Sequence, residues 1–306
     1  VATCANCGAA LDGEFCRSCG QKRFVESDRR FGHLLHQFLT STTDLDGRIW
    51  RSVRALLFQP GLLSREYMLG RRARWIAPAT LYLAVNLVYF LAPLHGDLAL
   101  QFNQQVSGRI MALASDPGVK LSAINLARTG QAHTPFTQRL IDRRVQTRDA
   151  AARAASGGEH GYSYRDYRLA YDAKADDVSK ALVVFHVPFA ALALMLLLSD
   201  QRRYFAEHFV FALHFFAFAL VALQIAVHVQ ASARFALPPA YAPSDALLDD
   251  FIRVLFPLYA TLAVRRAYAI SWPRAIVAAA GMLFVILAIN LYVYRAVQFL
   301  VTFALS

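Results

Sequence analysis

Four cysteines, Cys4, Cys7, Cys16 and Cys19, lie within TCANCGAALDGEFCRSCGQK, and they are all the cysteines the chain has. They form two C-x-x-C pairs separated by eight residues, and a glycine (Gly8, Gly20) follows each pair. Two tight turns that each present two thiolates make a tetrahedral Cys4 zinc site. The glycines fit knuckle turns, where the backbone N–H groups approach sulfur and φ is often positive. The alternatives are two disulfides or a redox pair. A redox motif needs one C-x-x-C at a strand-to-helix junction, not two within sixteen residues. Disulfides need an oxidising compartment, and no signal-peptide pattern precedes the cluster. Zinc is therefore the expected cofactor, in a structural role, because four thiolates leave no open coordination position for water or substrate.

A second set of chemistry-bearing residues lies in apolar surroundings, where ionisable groups are costly and invite functional suspicion. Glu207 and His214 are seven apart and share a helix face bordered by His208. His186 precedes Pro188, and Tyr82, Asn86 and Tyr89 form an i, i+4, i+7 stripe. Glu207, His208, His214, His186 and Asn86 are candidates for an intramembrane polar site. The plainer reading is hydrogen bonding between helices, with Glu207 capping its own helix. EHFVFALH lacks the i, i+4 histidine pair of a helical metalloenzyme site, and the chain has no G-x-S-x-G, Walker loop or dinucleotide fingerprint.

These residues need a membrane-embedded scaffold. Hydrophobic residues make up 57% of the chain and charged residues 17%, with mean hydropathy +0.35. Soluble domains carry about 25% charged residues. Five stretches predict transmembrane helices of an all-α polytopic membrane protein: Ile76 to Leu94, Ala181 to Leu198, His208 to Val229, Phe251 to Val264, and Ala275 to Tyr294 or beyond. The fourth is crowded by Asp249, Asp250 and Arg253 and interrupted by Pro257. Arg202 and Arg203 follow the second stretch, and Arg265, Arg266 and Arg274 follow the fourth, whereas the loop between carries only Arg234. The positive-inside rule then puts the basic loops and the N-terminus in the cytoplasm, where thiols stay reduced.

The organisation expected is a zinc ribbon over 1–24, amphipathic juxtamembrane helices over 25–75, and a transmembrane domain over 76–306 with a long extracytoplasmic loop at 95–180. Phe31, Leu34, Leu35, Phe38 and Leu39 have helical spacing. In GRIWRSVRALLF, Ile49, Trp50, Val53, Leu56 and Leu57 take one face and Arg48, Arg51 and Arg54 another. That pattern suits a helix lying in the interface, and equally one packed on the protein's own spans. With Arg71, Arg72 and Arg74, these arginines are the candidate contacts to lipid headgroups. The net charge of +11 is concentrated beside the first span, and the ribbon itself is not basic, which argues against nucleic acid. In the long loop, RLIDRRVQTRDAAARAAS reads as helix, GGEHG as a break, and YSYRDYRLAYDAKADD as a polar stretch with interleaved tyrosines.

CxxCG…FCxxCGQK followed by LDGRIWRSVRALLFQPGLLSREYMLGRRARWIAPATLYL resembles a family of bacterial zinc-ribbon membrane proteins catalogued as a domain of unknown function. The resemblance continues through VVFHVPFAALALMLLLSDQRRYFAEHFVFALHFFAF and LAVRRAYAISW. It implies an architecture and no activity. The expectation is a non-enzymatic inner-membrane protein whose cytoplasmic ribbon docks a protein partner or steadies the juxtamembrane helices, in scaffolding or assembly of an envelope complex. The alternatives are a transporter or lipid-handling protein using the intramembrane Glu and His groups, and a membrane enzyme acting on a lipid head group.

Overall fold

The computed structural model describes residues 2–23, 25, 47–91, 100–115, 130–238 and 243–306. The helix predicted over residues 31–39 lies outside them. The helices in chain order are α1 (Arg48–Phe58), α2 (Leu62–Met68), α3 (Pro78–Leu91), α4 (Phe102–Gln105), α5 (Gly108–Ala114), α6 (Thr134–Ala155), α7 (Tyr164–Leu182), α8 (His186–Leu197), α9 (Phe205–Ala236), α10 (Asp245–Tyr268), α11 (Trp272–Ile289) and α12 (Arg295–Leu305). A π-helical turn, Asn290–Tyr294, joins α11 to α12. Among the described residues the only β-pairing is two isolated bridges, Thr3–Ala10 and Phe15–Lys22.

The chain divides into two compact units, one of residues 1–92 and 187–286, the other of residues 93–186 and 287–306. In the first, α9 is the hub. It packs along α3 and touches α1, α2 and α10. Its buried residues run from Ala206 to Ala222, all round the helix, as expected of a span enclosed by other helices. Phe218 stacks on Tyr259 of α10, whose hydroxyl donates 2.6 Å to the Leu56 carbonyl of α1.

The second unit is built from what reads in sequence as a long loop. The helix predicted over residues 139–156 is present and starts earlier, running from Thr134 to Ala155, and the break falls at Gly157 and Gly158, both at positive φ. Tyr164, Tyr167 and Tyr171 share a face of α7, and the last two are fully buried against Phe102, Ile141 and Phe299. The tyrosine stretch is thus the core of a helical unit closed by α12.

Among the described residues, two helices are long and apolar enough to cross a bilayer: α9, and the continuous helix Trp272–Leu305. The pair Tyr164–Ser179 and Val183–Leu197 makes a third if it is one broken span. Length and composition therefore support two to three spans, where the sequence reading expects about five. α3 has 14 residues, about 21 Å of helix against a hydrocarbon core of about 30 Å. The uncharged stretch of α10 from Val254 to Val264 is shorter still.

α1 combines the two roles its pattern leaves open. Ser52, Ala55 and Leu56 are buried, whereas Trp50 and Phe58 are 79% and 76% exposed on the outside of the same helix. Between α1 and α2 the chain turns at Gly61, with φ of +75°, and a Cβ there would lie 2.2 Å from the Ala263 carbonyl oxygen of α10. Gly281, where a Cβ would meet only the end of the Leu197 side chain at 2.7 Å, makes the contrast. Gly61→Ala is expected to lower the thermal midpoint of the detergent-solubilised protein by the equivalent of at least about 2 kcal/mol, since backbone must move and φ is left-handed. Gly281→Ala is expected to cost far less, because a leucine can change rotamer. Equal midpoints for the two variants in a fluorescence-detected melt would show that α2 and α10 are not in close backbone contact.

Candidate metal centre

The N-terminal module is one turn used twice. Cys4 N–H donates to Ala9 O (2.8 Å) and Gly8 N–H to Cys4 O (2.9 Å); twelve residues on, Cys16 N–H donates to Gln21 O (2.9 Å) and Gly20 N–H to Cys16 O (2.8 Å). Gly8 and Gly20 have φ of +76° and +70°, which a side chain would resist. The two knuckles bring all four Sγ atoms within 4.8 Å of one another. Cys4 and Cys19 sulfurs are 3.7 Å apart, and those of Cys7 and Cys16 3.5 Å.

Those distances discriminate between the chemistries. A disulfide needs about 2.05 Å between sulfurs. A tetrahedral ion at about 2.3 Å from each thiolate puts them about 3.8 Å apart. The four cysteines are free thiols, spaced as ligands of one metal ion.

The backbone prepares them for that role. The N–H groups of Ser18 and Cys19 lower the Cys16 thiol below its usual range. The Gln21 N–H, helped by the Asn6 side chain, brings Cys19 to about 6. The Ala9 N–H acts in the same direction on Cys7 and is the largest single influence, but the sulfurs of Cys16, Cys19 and Cys4 and burial together outweigh it and Cys7 rises to about 12. The knuckle amides thus favour the thiolate in the second pair, and the like-charged sulfurs resist completing the set without a cation.

Among the described residues, Gln21 ties the module to the rest of the first unit. Gln21 is 8% exposed, and its Nε2 donates 2.6 Å to Gly70 O. Its Oε1 accepts from the backbone N–H groups of Arg72 and Ala73 at 3.0 and 3.1 Å. In the repeat, Ala9 is the equivalent residue, so the second knuckle carries a clamp that the first lacks. The segment it grips leads directly to α3, and Ile76 N–H is held in turn by the buried Ser52 hydroxyl of α1 at 3.1 Å. Sequence reasoning quoted Gln21 within CGQK without giving it a role. The signal was its position beside the second ligand turn.

The intramembrane candidates fall into separate settings. Glu207, 1% exposed, accepts from Tyr204 N–H at 3.1 Å and pairs with Arg203 at 3.7 Å, so its carboxylate serves the first turn of α9. His208 bonds the Tyr268 hydroxyl at 2.8 Å and stacks on its ring. His214 meets Ser64 of α2 at 2.9 Å. Asn86 is half-buried on α3, and none of these bonds involves it. His186 belongs to the other unit, where its ring packs against Tyr294 and its Nδ1 faces the Val183 carbonyl at 3.3 Å. The partners Ser64 and Tyr268 were not foreseen from sequence. Of the candidate headgroup arginines, Arg51, Arg54, Arg71 and Arg74 are exposed and Arg48 and Arg72 half-exposed, with Arg72 stacked on Tyr67 at 3.9 Å.

A family described as "Protein of unknown function (DUF3667)" matches residues 46–90, which cover α1, α2 and most of α3. Neither a curated protein nor a solved structure matches the chain.

Purified protein is expected to carry one metal ion per chain by inductively coupled plasma mass spectrometry, and to release it as pH falls and protons compete for the thiolates. Cys16→Ser should abolish stoichiometric metal. A mutant that kept its full metal content would disprove the four-thiolate assignment.

Proposed function

We propose that this chain is a non-enzymatic scaffold or assembly protein of the bacterial inner membrane, in which a cytoplasmic zinc ribbon locks the juxtamembrane helices and offers its outer face to a protein partner. The observation that carries this reading is the Gln21 clamp. It connects a metal-dependent turn to the segment entering α3. Zinc is favoured as the ion because four thiolates in tetrahedral spacing suit it and keep its shell closed. The cytoplasmic side is favoured because thiols stay reduced there and because the short loops at Arg202 and Arg203 and at Arg265 and Arg266 are basic.

Scaffolding is preferred to transport because Glu207, His208 and His214 each already serve a partner inside the protein. A polar pathway needs such groups facing water or a cargo. Phe15, 58% exposed on the ribbon, is the natural first contact for the partner. Lipid headgroups would meet the exposed arginines of α1 and the 70–74 turn.

The decisive test is hydrogen–deuterium exchange on the full chain. Gln21→Ala should keep its metal but expose the amides of residues 70–76, with a loss of about 2–3 kcal/mol for three hydrogen bonds and their desolvated partners. Chelation of the metal from the wild-type protein should expose the same amides. If they stay protected after chelation, the ribbon does not control the membrane-proximal segment and the proposal fails.

A further inference from the structure

The last turn of α10 and the α1–α2 corner enclose a pocket of about 490 Å3. Arg65, Arg265 and Arg266 line it with Pro60 and Leu262, and no acidic residue does. Arg265 is steadied over the Trp272 ring, its Cζ 4.3 Å from the centroid. Arg65 and Arg266 have no carboxylate partner among the described residues. Nearby arginines elsewhere in this unit are neutralised: Arg71 by Glu66, Arg203 by Glu207 and Arg274 by Asp200. Three arginines lining one concavity without a counter-charge attract an anion, and a planar fork of donors matches a phosphate.

A second cavity tells which phosphate. A groove of about 810 Å3 opens between the end of α1, the outer half of α9 and the start of α10. Leu57, Phe58, Ile225, Phe251 and Leu255 are among its walls, and Gln230 supplies its only polar side chain. Phe251, Leu255, Leu258, Leu262 and Arg265 recur at three- and four-residue steps, so they form one face of α10. Leu258, between the two cavities on that face, is 55% exposed. From Leu255 to Leu262 the helix rises about 10 Å. The α1–α2 corner contributes to both cavities, through Leu57 and Phe58 on one side and Pro60 on the other.

We infer that this face of α10 and the α1–α2 corner form a site for one anionic phospholipid, its phosphate on Arg65, Arg265 and Arg266 and an acyl chain in the groove. Basic residues that only obey the positive-inside rule need face no more than the headgroup layer. Here they line a pocket in register with an apolar trough, which fits a headgroup and its tail. Net negative charge is required because a zwitterionic headgroup would bring an ammonium group against three arginines. The inference rests on the membrane reading and goes beyond the scaffold role.

Native mass spectrometry of the full chain in detergent, titrated with dioleoylphosphatidylglycerol or dioleoylphosphatidylcholine, tests it. Wild type should retain phosphatidylglycerol in preference. Arg65→Gln with Arg266→Gln should weaken that binding about thirtyfold, at roughly one factor of five per arginine. Arg139→Gln with Arg143→Gln, which removes two exposed charges from α6 but none from the pocket, should leave it unchanged. Ala233→Trp, which fills the groove, should weaken the dioleoyl lipid and spare the dihexanoyl one. Equal retention of both headgroups, or equal loss in the two arginine pairs, would mean bulk attraction to the headgroup layer and overturn the site. Displacement by inorganic phosphate, with equal affinity for short and long chains, would make it a free-phosphate site and overturn the lipid. A chain that stays monodisperse without detergent would instead remove the membrane reading on which both proposals stand.

Discussion

Four thiols held within 4.8 Å of one another are the constraint on which the membrane-proximal architecture rests. The module that holds them has almost no core of its own: Cys4, Leu11 and Cys16 are buried, with Ala9 and Cys19 packed against them. Burial of one leucine and two cysteines cannot offset the backbone entropy of ordering more than twenty residues, at about 1–2 kcal/mol each. Small modules of this kind draw their folding free energy from the ion, and the ligand turns form as it binds. Gln21 sits in the second of these turns. Its three hydrogen bonds to residues 70–73 depend on the shape of that turn. The entry to α3 is thus tied to a turn that lies some fifty residues earlier in the chain.

Beyond the clamp, the α1–α2 corner is a junction of polar pairs in apolar surroundings. Ser52 holds the Ile76 amide, Leu56 offers its carbonyl to Tyr259, and Ser64 meets His214. Each pairing satisfies a group that would otherwise be left unpaired in a buried setting, where the penalty exceeds the usual worth of a hydrogen bond. Apolar packing alone would let α1 and α2 slide against α9 and α10, because leucine meets leucine equally well at several offsets. Directional bonds select one offset. The close approach of Gly61 to Ala263 does the same by exclusion.

The Cys4 spacing, the positive-φ glycines, the helix over most of 139–156 and the break at Gly157 and Gly158 could all be read from sequence, because each depends on residues within a turn or two of one another. The partners could not. His214 and Ser64 are 150 positions apart, and Gln21 and Gly70 are 49 apart, and nothing in either local pattern points to the other. The tyrosines of α7 illustrate the intermediate case. Their i, i+3, i+7 spacing marks a face, but the charges between them, Arg165, Asp166 and Arg168, make the whole stretch look like a solvated loop. Only the arrival of Phe299 from the far end of the chain shows that the face is a core. The expected count of about five spans is not confirmed by helix length and composition, for a related reason. Hydropathy registers apolar residues without regard to whether lipid or protein covers them, and a short helix packed on α9 satisfies it as well as a true span.

α10 shows how such a helix can be marginal by hydropathy and still be well placed. Its uncharged stretch from Val254 to Val264 is about 16 Å long, roughly half the hydrocarbon thickness. Asp250 and Arg253 bound it on one side, and Arg265 and Arg266 on the other. Arginine near a helix end can extend its guanidinium to the interface and lay its methylenes along the apolar edge. Arg265 does something close to this over Trp272, an aromatic residue of the kind that favours the headgroup level. The inner face of the helix, through Tyr259 and Ala263, is committed to α1, α2 and α9. What remains is one face that is apolar for most of its length and cationic in its last turn. A face of that kind matches the two chemistries of a phospholipid in the order in which the molecule presents them. The arginines that lower the hydropathy of α10 are thus compatible with membrane insertion because a phosphate, and not hydrocarbon, is the group they would meet.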